Sequence, residues 1–290
     1  MLFNKKYSKE EMCGGSTTSY DAEAQKEIKS KDMVLFKVSS RLEEDNLLSF
    51  SSFAVKTKNG SFVYLQKIKD RYSHEAESKL AYITKDIFQD LAELVIECNL
   101  AKNNGYHSNT HGLPENCGGS VYILYSSGEK ISFSDNSSPI ISNDTGRKIY
   151  EFFEKVLKTK KVALPSLTEL SELRIFEEHS GGGYTKANLL FNEDGSGTDV
   201  KESKYDSPTV YKKESVIDKE TIEKIVNTID NSLLFAWADL PKKQFSSGNE
   251  EYMTFVFKNG NEIVVRNDRE LPYEVGNAFF NIKLELTTNH

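Results

Sequence analysis

The chain has 290 residues, 38% of them hydrophobic and 28% charged, with a formal net charge of −7. That length supports about two domains with sizeable cores. The acidic balance speaks against nucleic acid as a partner, and no apolar run of about 18 residues is present, so no membrane insertion is expected.

In chain order, residues 1–30 are polar with little periodicity and are predicted to form a flexible N-terminal tail. They lack the apolar segment of a classical secretory signal. Met33 to Val38 reads as a first strand. Ser49 to Thr57 alternates and turns at Asn59-Gly60, a pair that accepts the positive φ of a type I′ turn. Ser61 to Ile68 is the return strand, and residues 69–81 look charged and irregular. Phe88, Leu91, Leu94, Val95 and Cys98 form one helical stripe. A polar loop, Lys102 to Gly119, leads into a hairpin whose alternating arms flank Gly128. Ile149, Phe152, Phe153, Val156 and Leu157 mark a second helix. Pro165 cannot continue a helix, so the unit boundary is placed at 162/163.

The second half repeats the pattern. Ile222, Ile225, Val226, Ile229 and Leu233 are its helical stripe, and Asn259-Gly260 turns its hairpin. A shift of 134 residues carries Phe88, Leu91 and Val95 onto Ile222, Ile225 and Ile229. A shift of 132 carries Gly128 onto Gly260, and one of 135 carries Asn59-Gly60 onto Asp194-Gly195. The expected fold is therefore α+β: a tandem duplication of a β-β-β-α-β-β-α unit (31–162 and 163–290), with antiparallel sheets and helices packed on one face. Residues 31–162 carry 18 basic and 17 acidic side chains, whereas 163–290 carry 14 and 22, so the second unit holds the negative charge.

Ser180-Gly181-Gly182-Gly183-Tyr184 before a strand, the Asp194-Gly195 turn, a helix ending near Trp237 and the Asn259-Gly260 hairpin resemble a common, uncharacterised bacterial two-repeat domain family. The first unit is similar through Asn104-Gly105-Tyr106 and the Gly128 hairpin. It departs in having Leu47-Leu48-Ser49 in place of the Gly triplet. The resemblance covers most of residues 31–290 and implies no known activity.

Candidate chemistry is sparse. Cys98, His107, His111 and Cys117 offer soft ligands at tolerable zinc spacing, with His107, His111 and Cys117 the better three. Cys98 also belongs to the apolar stripe and reads as a small buried hydrophobe. Cys117 beside His107 or His111 is a possible nucleophile–base pair. Gly181 to Lys186 lacks P-loop spacing and reads as a bend into a strand. The carboxylates Glu193, Asp194, Asp199 and Asp206 do not follow an EF-hand spacing. Three widely spaced cysteines, Cys13, Cys98 and Cys117, fit a reducing, cytoplasmic setting. Tyr106, His107 and Trp237 are the candidate binding residues; the lone Trp237 either closes a core or anchors an interface. The expected function is that of a non-enzymatic bacterial interaction or scaffold protein, with a protein partner or self-association and no cofactor. The alternatives are a metal- or cysteine-dependent enzyme using the 102–119 loop, and a small-molecule site between the repeats.

Overall fold

The computed structural model describes residues 15–44, 47–68, 76–112, 118–205, 209–242 and 250–288. Contacts divide the chain into two units, Met1–Lys161 and Val162–His290. Each is an antiparallel-rich α+β unit with its helices on one face of a sheet.

The first unit holds β1 (Ser16–Tyr20), β2 (Met33–Glu44), β3 (Leu47–Thr57), β4 (Gly60–Ile68), β5 (Ala76–Ile83), α1 (Phe88–Glu97), β6 (Tyr106–Thr110), β7 (Gly119–Tyr125), β8 (Lys130–Asp135) and α2 (Asn143–Val156). Its sheet runs β1-β6-β8-β7-β2-β3-β4-β5, and only β6–β8 is parallel. Phe36, Val38, Leu42, Phe50 and Val63 face the helices and meet Phe88, Leu91, Ile149 and Phe153 in one core. Phe36 and Phe153 lie 5.7 Å apart, ring to ring. Gly146 lets α2 approach β2, because a Cβ there would sit 2.4 Å from Leu42 Cδ2. Ser142 caps α2 by accepting the Thr145 N–H,. The other face of β2–β5 buries Leu35, Phe53, Val55, Phe62, Tyr64 and Tyr82. Burial on both faces explains why apolar residues run on without a break at Phe53-Ala54-Val55 and from Phe62 to Leu65, where simple alternation was expected.

The second unit holds β9 (Leu170–Glu178), β10 (Tyr184–Phe191), β11 (Gly197–Lys204), β12 (Val210–Ile217), α3 (Lys219–Asn231), β13 (Glu251–Phe257), β14 (Glu262–Arg266) and α4 (Tyr273–Thr288). Its sheet runs β12-β11-β10-β9-β13-β14. Read from the other edge, this is the order β8-β7-β2-β3-β4-β5 of the first unit. Asp218 caps α3 through the Thr221 N–H. In both units a left-handed residue joins the first helix to a 3₁₀ segment: Asn99 (φ 49°) and Leu233 (φ 50°), 134 positions apart.

The structure differs from the expected unit in four places. Counted from Met33 and from Leu170, each unit has four strands before its first helix, not three. The strands absent from the expectation are β5, much of whose length is exposed at its sheet's edge, and β11, most of whose eight residues are only half-buried. Polar residues are tolerated there, which hides the strand pattern. Residues 15–30 are not a free tail: β1 pairs with β6, and the following segment is hydrogen-bonded to the first unit. The loop 102–119 contains β6. The turn equivalence also moves by one. Ser61 pairs with Ile83 as Gly197 pairs with Ile217, so Gly60 corresponds to Ser196 rather than Gly195.

Candidate functional site

β1 and β6, which have no counterpart among the described residues of the second unit, extend the first unit's sheet beyond β8. Beside them lies a polar cleft of about 520 Å³. Asp21, Glu23, His107, Glu129 and Ser132 are among the residues that line it.

The cleft is assembled by backbone bonding. Asn104 is nearly fully buried. Its side-chain amide donates to the Gln25 carbonyl (2.8 Å) and the Lys130 carbonyl (2.9 Å), and its Oδ1 accepts the Ser132 N–H (2.7 Å). One side chain thus ties the N-terminal segment, the 3₁₀ exit and β8 together. Gly105 (φ 84°) donates to the Ser132 carbonyl and accepts from Asp21 N–H, with Ala24 so close that a Cβ would stand 2.6 Å from it. Glu129 accepts N–H groups from Lys29 (3.0 Å) and Ser30 (2.9 Å) and the Ser127 hydroxyl (2.9 Å). The Lys29 N–H, then the Ser127 hydroxyl, hold its carboxyl below the ordinary range.

His107 occupies the middle of β6, opposite Ser19 on β1 and Ser134 on β8. Its Nδ1 shares a 2.9 Å hydrogen bond with Ser134 Oγ. Ser120 and Ser39 continue this row across β7 and β2, their hydroxyls 3.0 Å apart. Tyr106 points to the opposite face, where its hydroxyl donates to Asp135 Oδ2 at 3.3 Å. Burial pushes the Asp135 carboxyl up, but hydrogen bonds from Ser137, Tyr106 and Ser138 outweigh it and leave it below the ordinary value of 3.8,. A carboxylate with a lowered folded value adds stability above the unfolded value and loses it as pH falls through the folded one. The acid-side loss of stability, read from urea midpoints below about pH 4, is expected to be shallower in Asp135→Asn than in the wild type. An unchanged slope would count against this role.

Among the described residues, the remaining predicted site residues form no common cluster. His111 is exposed in the turn after β6, its N–H on the Gly15 carbonyl. Cys98 ends α1 half-buried, and its thiol bonds the Thr145 side chain; burial, the largest influence, raises its pKa. Cys117 lies outside the described residues. Among the described residues, no group of three or more His, Cys, Asp or Glu is placed to hold a metal. Trp237 is completely buried, and its indole N–H donates to the Ser232 carbonyl at 3.0 Å. Gly181 and Gly182 take φ 99° and 83° in the tight turn between β9 and β10. Asp194 binds the N–H and hydroxyl of Ser196, as a turn residue does,.

The cleft residues Asp21, Glu23, Asn104, Glu129 and Ser132 were not legible as a set. The one available signal was Asn104-Gly105, a pair suited to a sharp exit from a helical segment. Compared with known families, the chain matches no family model, and a search of curated proteins finds no match.

Proposed function

We propose that this protein is a non-enzymatic interaction module of the bacterial cytoplasm, built by duplication of one α+β unit and using the cleft beside β6 to hold a basic side chain of a protein partner. The observation that carries the reading is the cleft itself. It lies beside β1 and β6, strands without a counterpart among the described residues of the second unit, whose strand order otherwise matches. Its wall carboxylates Asp21, Glu23 and Glu129 outnumber the one lining cation, Lys130. The polar groups that meet there hold the backbone in place, as Asn104 and Glu129 do, or bond a neighbouring hydroxyl, as His107 does. The matching left-handed residues Asn99 and Leu233 support duplication, since neither is glycine and both positions make the same bend. The resemblance to the uncharacterised bacterial family belongs to this reading.

The test is a titration of the full chain with an arginine-rich octapeptide and a glutamate-rich one, followed by amide NMR. The arginine peptide is expected to shift residues 21–25, 104–107 and 127–132, and Glu23→Lys to weaken it about threefold. Equal binding of both peptides, or shifts elsewhere only, would overturn the proposal.

A further inference from the structure

The first unit carries a second pocket, independent of the cleft and at the opposite edge of its sheet. It measures about 330 Å³ and is lined by Lys79, Leu80, Glu154, Leu157, Lys158 and Lys161. Lys79 lies on the helix side of β5, where its Nζ meets Glu154 of α2 at 2.6 Å. Leu80 follows it in the strand and points to the other face. A pocket lined by both therefore lies against the outer edge of β5. Along residues 76–82 that strand pairs only with β4 among the described residues.

The chain beyond α2 is fixed in place. Thr84 donates its N–H (3.0 Å) and its hydroxyl (3.3 Å) to the Lys160 carbonyl, and Ile83 forms a β-bridge with Lys161. The carbonyls of Phe153, Lys155 and Val156 accept the N–H groups of Leu157, Lys158 and Thr159, so the negative end of the helix is satisfied locally,. Residues 155–161 hold four lysines and no acid. Glu154, the one acid of the lining, is taken by Lys79 and by the Tyr150 hydroxyl at 3.2 Å. Lys158 adds only to the field at Glu154. Among the described residues, neither Lys158 nor Lys161 forms an ion pair or a side-chain hydrogen bond, and both are exposed.

Leu80 and Leu157 are half-buried and give the same pocket apolar surface. Two uncommitted ammonium groups and two leucines in so small a space suit a ligand residue that brings a negative charge and an apolar side chain together. An internal residue of a peptide offers one or the other. A C-terminal Leu, Ile, Val or Phe offers both, since its carboxylate carbon is bonded to the same Cα as the side chain. The residues before it are then free to extend along the open edge of β5.

We propose that this pocket captures the C-terminal residue of a partner protein, with its carboxylate between Lys158 and Lys161 and its apolar side chain against Leu80 and Leu157. The probe is the N-acetylated peptide Ser-Thr-Gly-Thr-Leu with a free C-terminus, compared with its C-terminal amide, on the full chain. The free acid is expected to bind about fivefold tighter than the amide and to shift the amide NMR signals of residues 79–82 and 157–161. Lys158→Ala combined with Lys161→Ala, two changes at exposed positions, is expected to remove that difference. Equal binding of acid and amide, a difference that survives the double substitution, or shifts elsewhere only would refute the proposal. A free acid ending in Gly that binds as tightly as the one ending in Leu would remove the role of the leucines and overturn it. An amidated peptide ending in Asp-Leu that matches the free acid would assign the lysines to a side-chain carboxylate and overturn it equally.

Discussion

Trp237→Ala is expected to destabilise the second unit by about 3–5 kcal/mol. The indole is wholly buried, so its removal leaves a cavity among packed side chains. It also strips the Ser232 carbonyl, at the end of α3, of its N–H partner,. The neighbouring Phe235 packs edge-on to Phe255 (5.0 Å) and Phe257 (5.4 Å), so loss of Trp237 loosens the seat of β13 as well. Trp237→Phe keeps most of the apolar volume and loses the hydrogen bond, for about 1–3 kcal/mol. Urea unfolding followed by circular dichroism reads both. A Trp237→Ala protein within about 1 kcal/mol of the wild type would contradict a structural role and return this residue to the candidate binding set.

The second large effect is expected at Gly60. It opens β4 at φ 152°, and a Cβ there would lie 2.0 Å from the Ile83 carbonyl oxygen. The obstacle is backbone, which cannot rotate away as a side-chain end can. Gly60→Ala must therefore push β4 from β5 or abandon the ladder at Ser61–Ile83, at about 2–4 kcal/mol. Gly128 and Gly260 are the controls. Both have positive φ (86° and 82°) and nothing within 4 Å. Alanine there meets only left-handed strain, about 1 kcal/mol. If thermal or urea unfolding ranks Gly60→Ala with these two hairpin variants, the close approach of β5 does not explain the glycine.

These two positions show where sequence reading stops. Asn59-Gly60 announces a turn, and the turn is there. That Gly60 is needed for contact with β5 does not follow, because β5 itself was hidden among charged residues. Trp237 behaves the same way. Its local context fits either core or interface, and only the packing of the 3₁₀ segment against β13 decides between them.

Much of the local architecture was legible from the residues alone. The helical stripes of α1, α2 and α3 repeat every three or four positions, and the hairpins around Gly128 and Gly260 alternate with a turn between. Such patterns are written in neighbouring residues, since each reports which face of its own element is buried. Tertiary structure alone decided the rest: β1 and β6 as additions to the first unit's sheet, β5 and β12 each as an edge of its own sheet, Asn104 as the tie of the cleft, and the partner of His107. Edge and polar strands are held chiefly by backbone bonds to segments distant in sequence. Backbone groups are the same at every residue, so the sequence carries little mark of which strand they will meet.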